Sequence, residues 1–232
     1  MKISNPYANL TKFEWTLWMS SIFAVLLSFF LSGMQDVLST IASLIGVSAL
    51  ILLARGAWQG QVLCIVFAAL YGIVSIRMQY YGEMLTYLCM SLPMAVISLI
   101  SWVRHPFKES NEVEVARLSK RILLVMVGSA AVVTTIFFFL LRALGNAALG
   151  ISTVSITTSY VAAFLTFCRS PYYALGYALN DIVLITLWII AAVNSPSSSP
   201  MVICFVMFFF NDMYAFFNWC RMQKKQAALA EE

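Results

Sequence analysis

The chain has 232 residues, 62% of them hydrophobic and 10% charged, with a net charge of +4. A soluble domain carries roughly 25% charged residues, so this composition excludes a water-soluble enzyme or nucleic-acid-binding domain. It reads as an all-α, polytopic membrane protein forming one transmembrane domain over 1–232, embedded in the lipid bilayer.

Stretches of about 20 apolar residues are long enough to cross a bilayer as helices. The sequence contains eight, at 14–33, 37–54, 62–82, 84–103, 122–141, 151–168, 172–193 and 201–220. The first follows Lys2 and Lys12 as a signal peptide would, but Glu14, Trp15 and Trp18 do not suit an apolar signal core. It is read as a retained span, with an interfacial helix as the alternative, its tryptophans suiting the membrane–water boundary. In the fourth span Pro93 is expected to kink the helix. The charged segment Arg104–Arg121 lies outside the lipid, and its part Glu112–Arg121 reads as an amphipathic extension of the fifth span. Ser170-Pro171 has the form of an N-cap followed by proline at the first helical position. Asn194–Pro200 (NSPSSSP) is turn chemistry.

With eight spans, Lys2, Lys12, Arg55, five basic residues of the 104–121 loop, Arg169, Arg221, Lys224 and Lys225 fall on one side. Only Arg77 and Arg142 fall on the other. Positive residues collect on the cytoplasmic face, so both termini are expected in the cytoplasm.

Residues 41–104 align in pattern with 151–221. Each half has a helix ending in Arg, an aromatic three residues later (Trp58, Tyr172), and a third helix ending in Trp and Arg (Trp102/Arg104, Trp219/Arg221). The arginine offsets are 169 − 55 = 114 and 221 − 104 = 117. Two parallel three-helix repeats, 37–104 and 151–221, are therefore expected, joined by a linker helix at 122–141 and preceded by the extra helix at 14–33. Transporters built this way bind substrate near the midplane between repeats.

Polar residues inside these spans are the candidate site. Asn180, Leu184 and Trp188 share a helix face, with Asp181 at its edge; Asn211, Tyr214 and Asn218 form a second stripe beside Asp212 and Trp219. Tyr71, Ser75 and Gln79 form a third, with Glu83 one turn beyond, as the opposite wall. Amides and carboxylates beside aromatic rings suit a nucleoside-like ligand: the former pair with ribose hydroxyls, the latter stack on a flat ring. A cationic ring gains a further ~2 kcal/mol of cation–π attraction when desolvated. No Lys or Arg lies mid-span, so a phosphate would lack a charge partner. Other roles for the same residues are open at this point. Asn180 or Asn211 can bridge helices at ~1 kcal/mol, Asp181, Asp212 or Glu83 can relay protons, and Glu83 can simply lie at the outer end of its helix. The five cysteines (Cys64, Cys89, Cys168, Cys204, Cys220) lack metal or redox spacing, and His105 is the sole histidine. No metal site, cofactor or catalytic motif is expected, so the chain is not read as an enzyme.

The chain resembles the PnuC family of bacterial nicotinamide riboside transporters. The likeness is carried by Glu14–Trp18 (EWTLW), Trp58-Gln59-Gly60, Tyr80-Tyr81-Gly82-Glu83-Met84-Leu85, Asn180-Asp181 with Leu187-Trp188, and Asn211-Asp212-Met213-Tyr214 with Trp219. The resemblance implies an architecture similar to SWEET sugar transporters in a three-plus-one-plus-three form. It also implies a homotrimer with one pathway per protomer, in the bacterial inner membrane. It further implies facilitated diffusion of nicotinamide riboside, made one-way by a cytoplasmic riboside kinase, with binding roles falling on Trp188, Asn211 and Tyr214. Other members carry thiamine or riboflavin, and proton-coupled transport of such a vitamin is the alternative expectation.

Overall fold

The computed structural model describes residues 6–8, 10–31, 33, 36–78, 80–108, 110–146, 148–194 and 199–230. Among them eight helices are long and apolar enough to cross a membrane. They are α1 (Lys12–Leu31), α2 (Val37–Ala54), α3 (Gln59–Arg77), α4 (Tyr81–Arg104), α5 (Lys120–Ala143), α6 (Leu149–Phe167), α7 (Tyr172–Asn194) and α8 (Ser199–Ala228). The all-α, eight-span reading thus holds. Large apolar side chains stay exposed on the outer faces, Leu124 (73%), Val125 and Val132 of α5 among them. Such a surface is an aggregation liability in water and a lipid-facing band in a bilayer.

Helix ends follow from local chemistry. Asp36 caps α2 by accepting from Ser39 N at 3.0 Å, and Ser119 caps α5 by accepting from Ile122 N at 3.3 Å. Ser170 reaches Tyr172 N at 3.4 Å, so the expected Ser-Pro start of α7 is present. Asn194–Pro200 falls largely outside the described residues.

Helices α2 and α6 end in the same hydrogen-bonded turn. In α2, Gly56 N donates to Leu53 O and Ala57 N to Leu52 O; in α6, Arg169 N donates to Thr166 O and Ser170 N to Leu165 O. Both turns need a left-handed residue, Gly56 at φ 66° and Arg169 at φ 57°. Arg169 accepts that strain while its carbonyl takes a bond from Ala116 N and its guanidinium sits 3.7 Å from Glu114.

One expectation changes. Glu112–Arg121 does not extend a helix: α5 begins at Lys120, and the residues before it form an extended strap. The Glu-Val-Glu-Val alternation has a period of two, and the strap's backbone is satisfied elsewhere. Val113 N donates to Gly56 O, Ala116 N to Arg169 O and Val115 N to Gln226 Oε1, while Gln226 Nε2 donates back to Val113 O. The strap thereby gathers the α2–α3 and α6–α7 links and the end of α8 on one face, together with Arg55, Arg104, Arg169 and Arg221. Pro93, for its part, is preceded by a π-helical turn, Thr86–Ser91. Proline lacks an N–H and its ring crowds the carbonyl four residues back; the wider turn, in which Leu92 N reaches Tyr87 O, accommodates both.

Helices α2, α3, α4, α6, α7 and α8 form the core. α2 lies against α3 and α8, α6 against α4 and α7, while α1 leans on α2 and α8 and α5 on α6. Two tryptophans tie the halves reciprocally. Trp102 Nε1 of α4 donates to Thr166 O at the end of α6 (2.9 Å), and Trp219 Nε1 of α8 donates to Leu53 O at the end of α2 (2.8 Å).

Candidate functional site

A cavity lies inside the bundle. Its lining comes from six helices, α2, α3, α4, α6, α7 and α8, with none from α1 or α5. The contributing residues sit in the last turns of α2 and α6 and the first turns of α3 and α7, so the cavity lies in the half of the bundle nearer the strap.

The polar wall is built mainly by α7 and α8. Asn180 is 2% exposed; its Oδ1 accepts from Thr158 Oγ1 (2.8 Å) and Ser155 Oγ (3.4 Å) of α6, which fixes its orientation. Asp181 and Asp212 bring buried carboxyl groups from α7 and α8 to the cavity wall. Gln61 of α3 and Tyr177 of α7 complete this wall. Gln61 Nε2 and Asp181 Oδ2 are buried without a partner. A buried polar group left unpaired costs about 1–3 kcal/mol, which a polar ligand in the cavity would offset. No Lys, Arg or His lines the cavity.

The apolar wall is aromatic, made of Phe67, Tyr87, Phe205 and Phe208. Behind it lies a second aromatic layer. Tyr71 packs on Tyr87 (4.2 Å between centroids), Phe67 and Phe205, and accepts a hydrogen bond from Trp188 Nε1 at 2.7 Å. Tyr80 closes on Trp188 at 5.2 Å. Toward the strap, Trp102 and Trp219 meet at 5.3 Å. The cavity thus lies between two aromatic pairs, Tyr71–Trp188 and Trp102–Trp219.

Of the residues singled out in the sequence, Asn180, Asp181 and Asp212 line the cavity. Tyr71 and Trp188 are fully buried one layer beyond it, and Glu83, 1% exposed with both oxygens unpartnered, is within electrostatic range of Tyr71 and Tyr87. Asn211 and Tyr214 face α1 instead. Asn211 Nδ2 donates to Ser21 Oγ (3.0 Å), and Tyr214 OH donates to Glu14 Oε1 (2.9 Å), which also lies 3.8 Å from Arg55 Nε. Neighbours in sequence, Asn211 and Asp212 diverge because successive helical positions are rotated by about 100°. Gln79 lies outside the described residues. The sequence reading did not single out Gln61, Tyr87 or Tyr177. Tyr177 carried a signal, being three and four residues before Asn180 and Asp181 and so on their face.

Comparison with known proteins gives the same fold. A solved structure described as the crystal structure of the vitamin B3 transporter PnuC superposes with a TM-score of 0.83 at 24% identity, covering 95% of each chain. A nicotinamide riboside transporter PnuC from Neisseria mucosa is 26% identical over 227 residues, which is 95% of this chain and 86% of that protein. A model of the nicotinamide mononucleotide transporter family matches residues 36–221, from the cap of α2 to Arg221 of α8. The chain therefore belongs to that family, the PnuC transporters, and is a multi-pass membrane transporter rather than an enzyme.

Proposed function

We propose that the chain carries nicotinamide riboside across the bacterial cytoplasmic membrane by facilitated diffusion, binding it in the cavity between two three-helix repeats. The observation that carries this reading is the make-up of the cavity wall: amide and carboxyl groups facing aromatic rings, with no cation. Such a wall suits the hydroxyls and flat ring of a riboside and disfavours a phosphate, which would enter without a charge partner. That argument favours the riboside of the Neisseria relative's name over the mononucleotide of the family's description. The binding set proposed is Asn180, Asp181, Asp212 and Gln61 for polar contacts, with Phe67, Tyr87 and Phe208 as ring partners. Tyr71, Trp188 and Glu83 stand behind them, and Asn211 and Tyr214 act through α1.

The repeat is supported by pairs at a constant spacing. Gly46/Ser159, Leu50/Ala163 and Leu53/Thr166 are each 113 apart (166 − 53 = 113), and all line the cavity. Cys64/Asp181, Ser91/Phe208 and Ala95/Asp212 are each 117 apart (212 − 95 = 117), and all line it too. The domain reading remains that of the sequence, with repeats 37–104 and 151–221 and a linker at 122–141. The basic face gathered by the strap is assigned to the cytoplasm with both termini. There a riboside kinase makes uptake one-way, since its phosphorylated product fits the cavity poorly. The functional unit is a homotrimer with a pathway in each protomer, as the resemblance implies.

Uptake of labelled riboside into proteoliposomes tests this. Saturable uptake that stops at equal concentrations, inhibited at least tenfold less well by the mononucleotide than by unlabelled riboside, is expected. No saturable uptake overturns it. The two buried carboxyl groups lining the cavity favour a second reading, proton-coupled transport of another vitamin such as thiamine or riboflavin. Accumulation above equilibrium under an imposed pH gradient would establish that one.

A further inference from the structure

Gly56 and Arg169 hold matching left-handed positions in the turns that end α2 and α6, at φ 66° and 57°. They are 113 residues apart (169 − 56 = 113), the spacing of the cavity-lining pairs Leu53/Thr166 and Leu50/Ala163. The strap binds the carbonyl of each: Val113 N donates to Gly56 O and Ala116 N to Arg169 O, both at 3.0 Å. Leu53 and Thr166, three residues before these carbonyls, line the cavity. The strap therefore crosses the cavity's mouth on its own side and ties the two turns together. Three extended residues span about 10 Å, and a tether of that length keeps the turns from parting while both bonds stand.

The two ends of the tether are held unequally. At the Gly56 end, Glu112 bridges to Ala57 and Val113 to Pro106, and the Val113 side chain is buried in the core. Gln226 of α8, itself buried, accepts from Val115 N (2.8 Å) and donates to Val113 O (3.0 Å). Among the described residues, the Arg169 end has one backbone bond, from half-buried Ala116, and a 3.7 Å ion pair with Glu114. The Glu114 side chain is 58% exposed, and so exposed a pair adds little. Arg169 also holds its left-handed backbone without being glycine, a strain that Gly56 does not bear.

We propose that the strap is a latch over this mouth of the cavity, hinged where Val113 and Val115 meet Gln226 and caught where Ala116 meets Arg169. Opening toward the strap side breaks the catch and leaves the hinge intact. Residues Ala116–Ser119 then act as slack between the hinge and α5, so α5 stays packed on α6 while the α6–α7 turn withdraws. The latch goes beyond the riboside reading: it rests on the cavity being the transport route and not on the identity of the cargo.

The test uses the full-length chain in proteoliposomes, with Cys64, which lines the cavity, kept and the other four cysteines replaced. An impermeant thiol reagent is applied from the strap side or from the opposite side. Ala116→Pro removes the N–H that the Arg169 carbonyl accepts, and proline suits an extended segment. One lost backbone bond should speed labelling of Cys64 from the strap side at least threefold, with no increase from the opposite side. No increase from the strap side, or equal increases from both sides, overturns the latch, since a merely structural bond would loosen the whole bundle. Where Ala116→Pro does not fold, residue-resolved amide hydrogen exchange of the wild-type chain decides. Exchange at Ala116 at least tenfold faster than at Val113 and Val115 supports a catch and a hinge, and equal protection of the three excludes them. Neither readout involves a riboside, so a failed latch leaves the riboside reading intact, and absent riboside uptake leaves the latch standing.

Discussion

Tyr214 separates two roles that the sequence joins in one motif. The stripe Asn211, Tyr214, Asn218 is real as a face of α8, but that face meets α1 and the end of α2: Ser21 takes Asn211, Glu14 takes Tyr214, and the Ala54 carbonyl takes Asn218. Periodicity identifies which residues share a face; which partner that face meets depends on tertiary placement. Asp212, one position along, reaches the cavity. Replacing Tyr214 by Phe keeps the ring and removes its hydroxyl bond to Glu14, at a cost of about 1–2 kcal/mol for a charge-assisted bond that is partly exposed. The expected outcome is a lower unfolding temperature in detergent with riboside affinity changed less than threefold. A tenfold loss of affinity with unaltered stability would return Tyr214 to the binding site.

At the scale of the helices, close approach between α2 and α3 is set by one glycine. A Cβ on Gly60 would lie 2.8 Å from the Leu53 backbone nitrogen, and a backbone atom cannot rotate aside. Leu53 also carries the carbonyl that Trp219 holds and lines the cavity, so displacing it disturbs both. Gly60→Ala is therefore expected to destabilise the protein by about 1–3 kcal/mol, as overpacking does. Gly128→Ala on α5, where nothing lies within 4 Å, is expected to be neutral or to stabilise by up to about 1 kcal/mol. Thermal unfolding of both variants checks the pair; equal behaviour would mean that α2 and α3 do not meet this tightly. The helices themselves were legible in the sequence, because twenty apolar residues have few alternatives to a span. The strap was not, because Glu112–Arg121 has a composition that suits a helix or an extended segment alike. Its backbone bonds to Gly56, Arg169 and Gln226 decide for the latter. Nor did the sequence signal that Gly60, in the Trp58-Gln59-Gly60 link, is a contact.

Across the whole molecule the two aromatic pairs have the same relation to the sequence. Tyr71 and Trp188 are 117 residues apart, and so are Trp102 and Trp219 (219 − 102 = 117). Under the proposed repeat, residues that are equivalent in the two halves and also touch one another lie on the axis relating them, which puts each pair on the proposed transport path, one at either end of the cavity. On that proposal, passage of a riboside requires the pairs to part in turn. The Tyr71–Trp188 pair is held by a buried hydrogen bond and the other by tryptophan bonds to Thr166 and Leu53, so the helix ends that line the cavity also brace one closure. Tyr71→Phe removes about 1 kcal/mol from the first closure alone, which corresponds to a roughly fivefold shift toward the state open on the side away from the strap. Ser75, one turn beyond Tyr71, is fully buried and reports on that opening. A cysteine at Ser75, in a chain whose five native cysteines are replaced, should react about fivefold faster with an impermeant thiol reagent applied from that side when Tyr71 is Phe. The same reagent applied from the strap side should show no increase. Equal acceleration from both sides would mean that the hydroxyl supports general packing rather than one closure, and no acceleration would place the closing contact elsewhere on the axis.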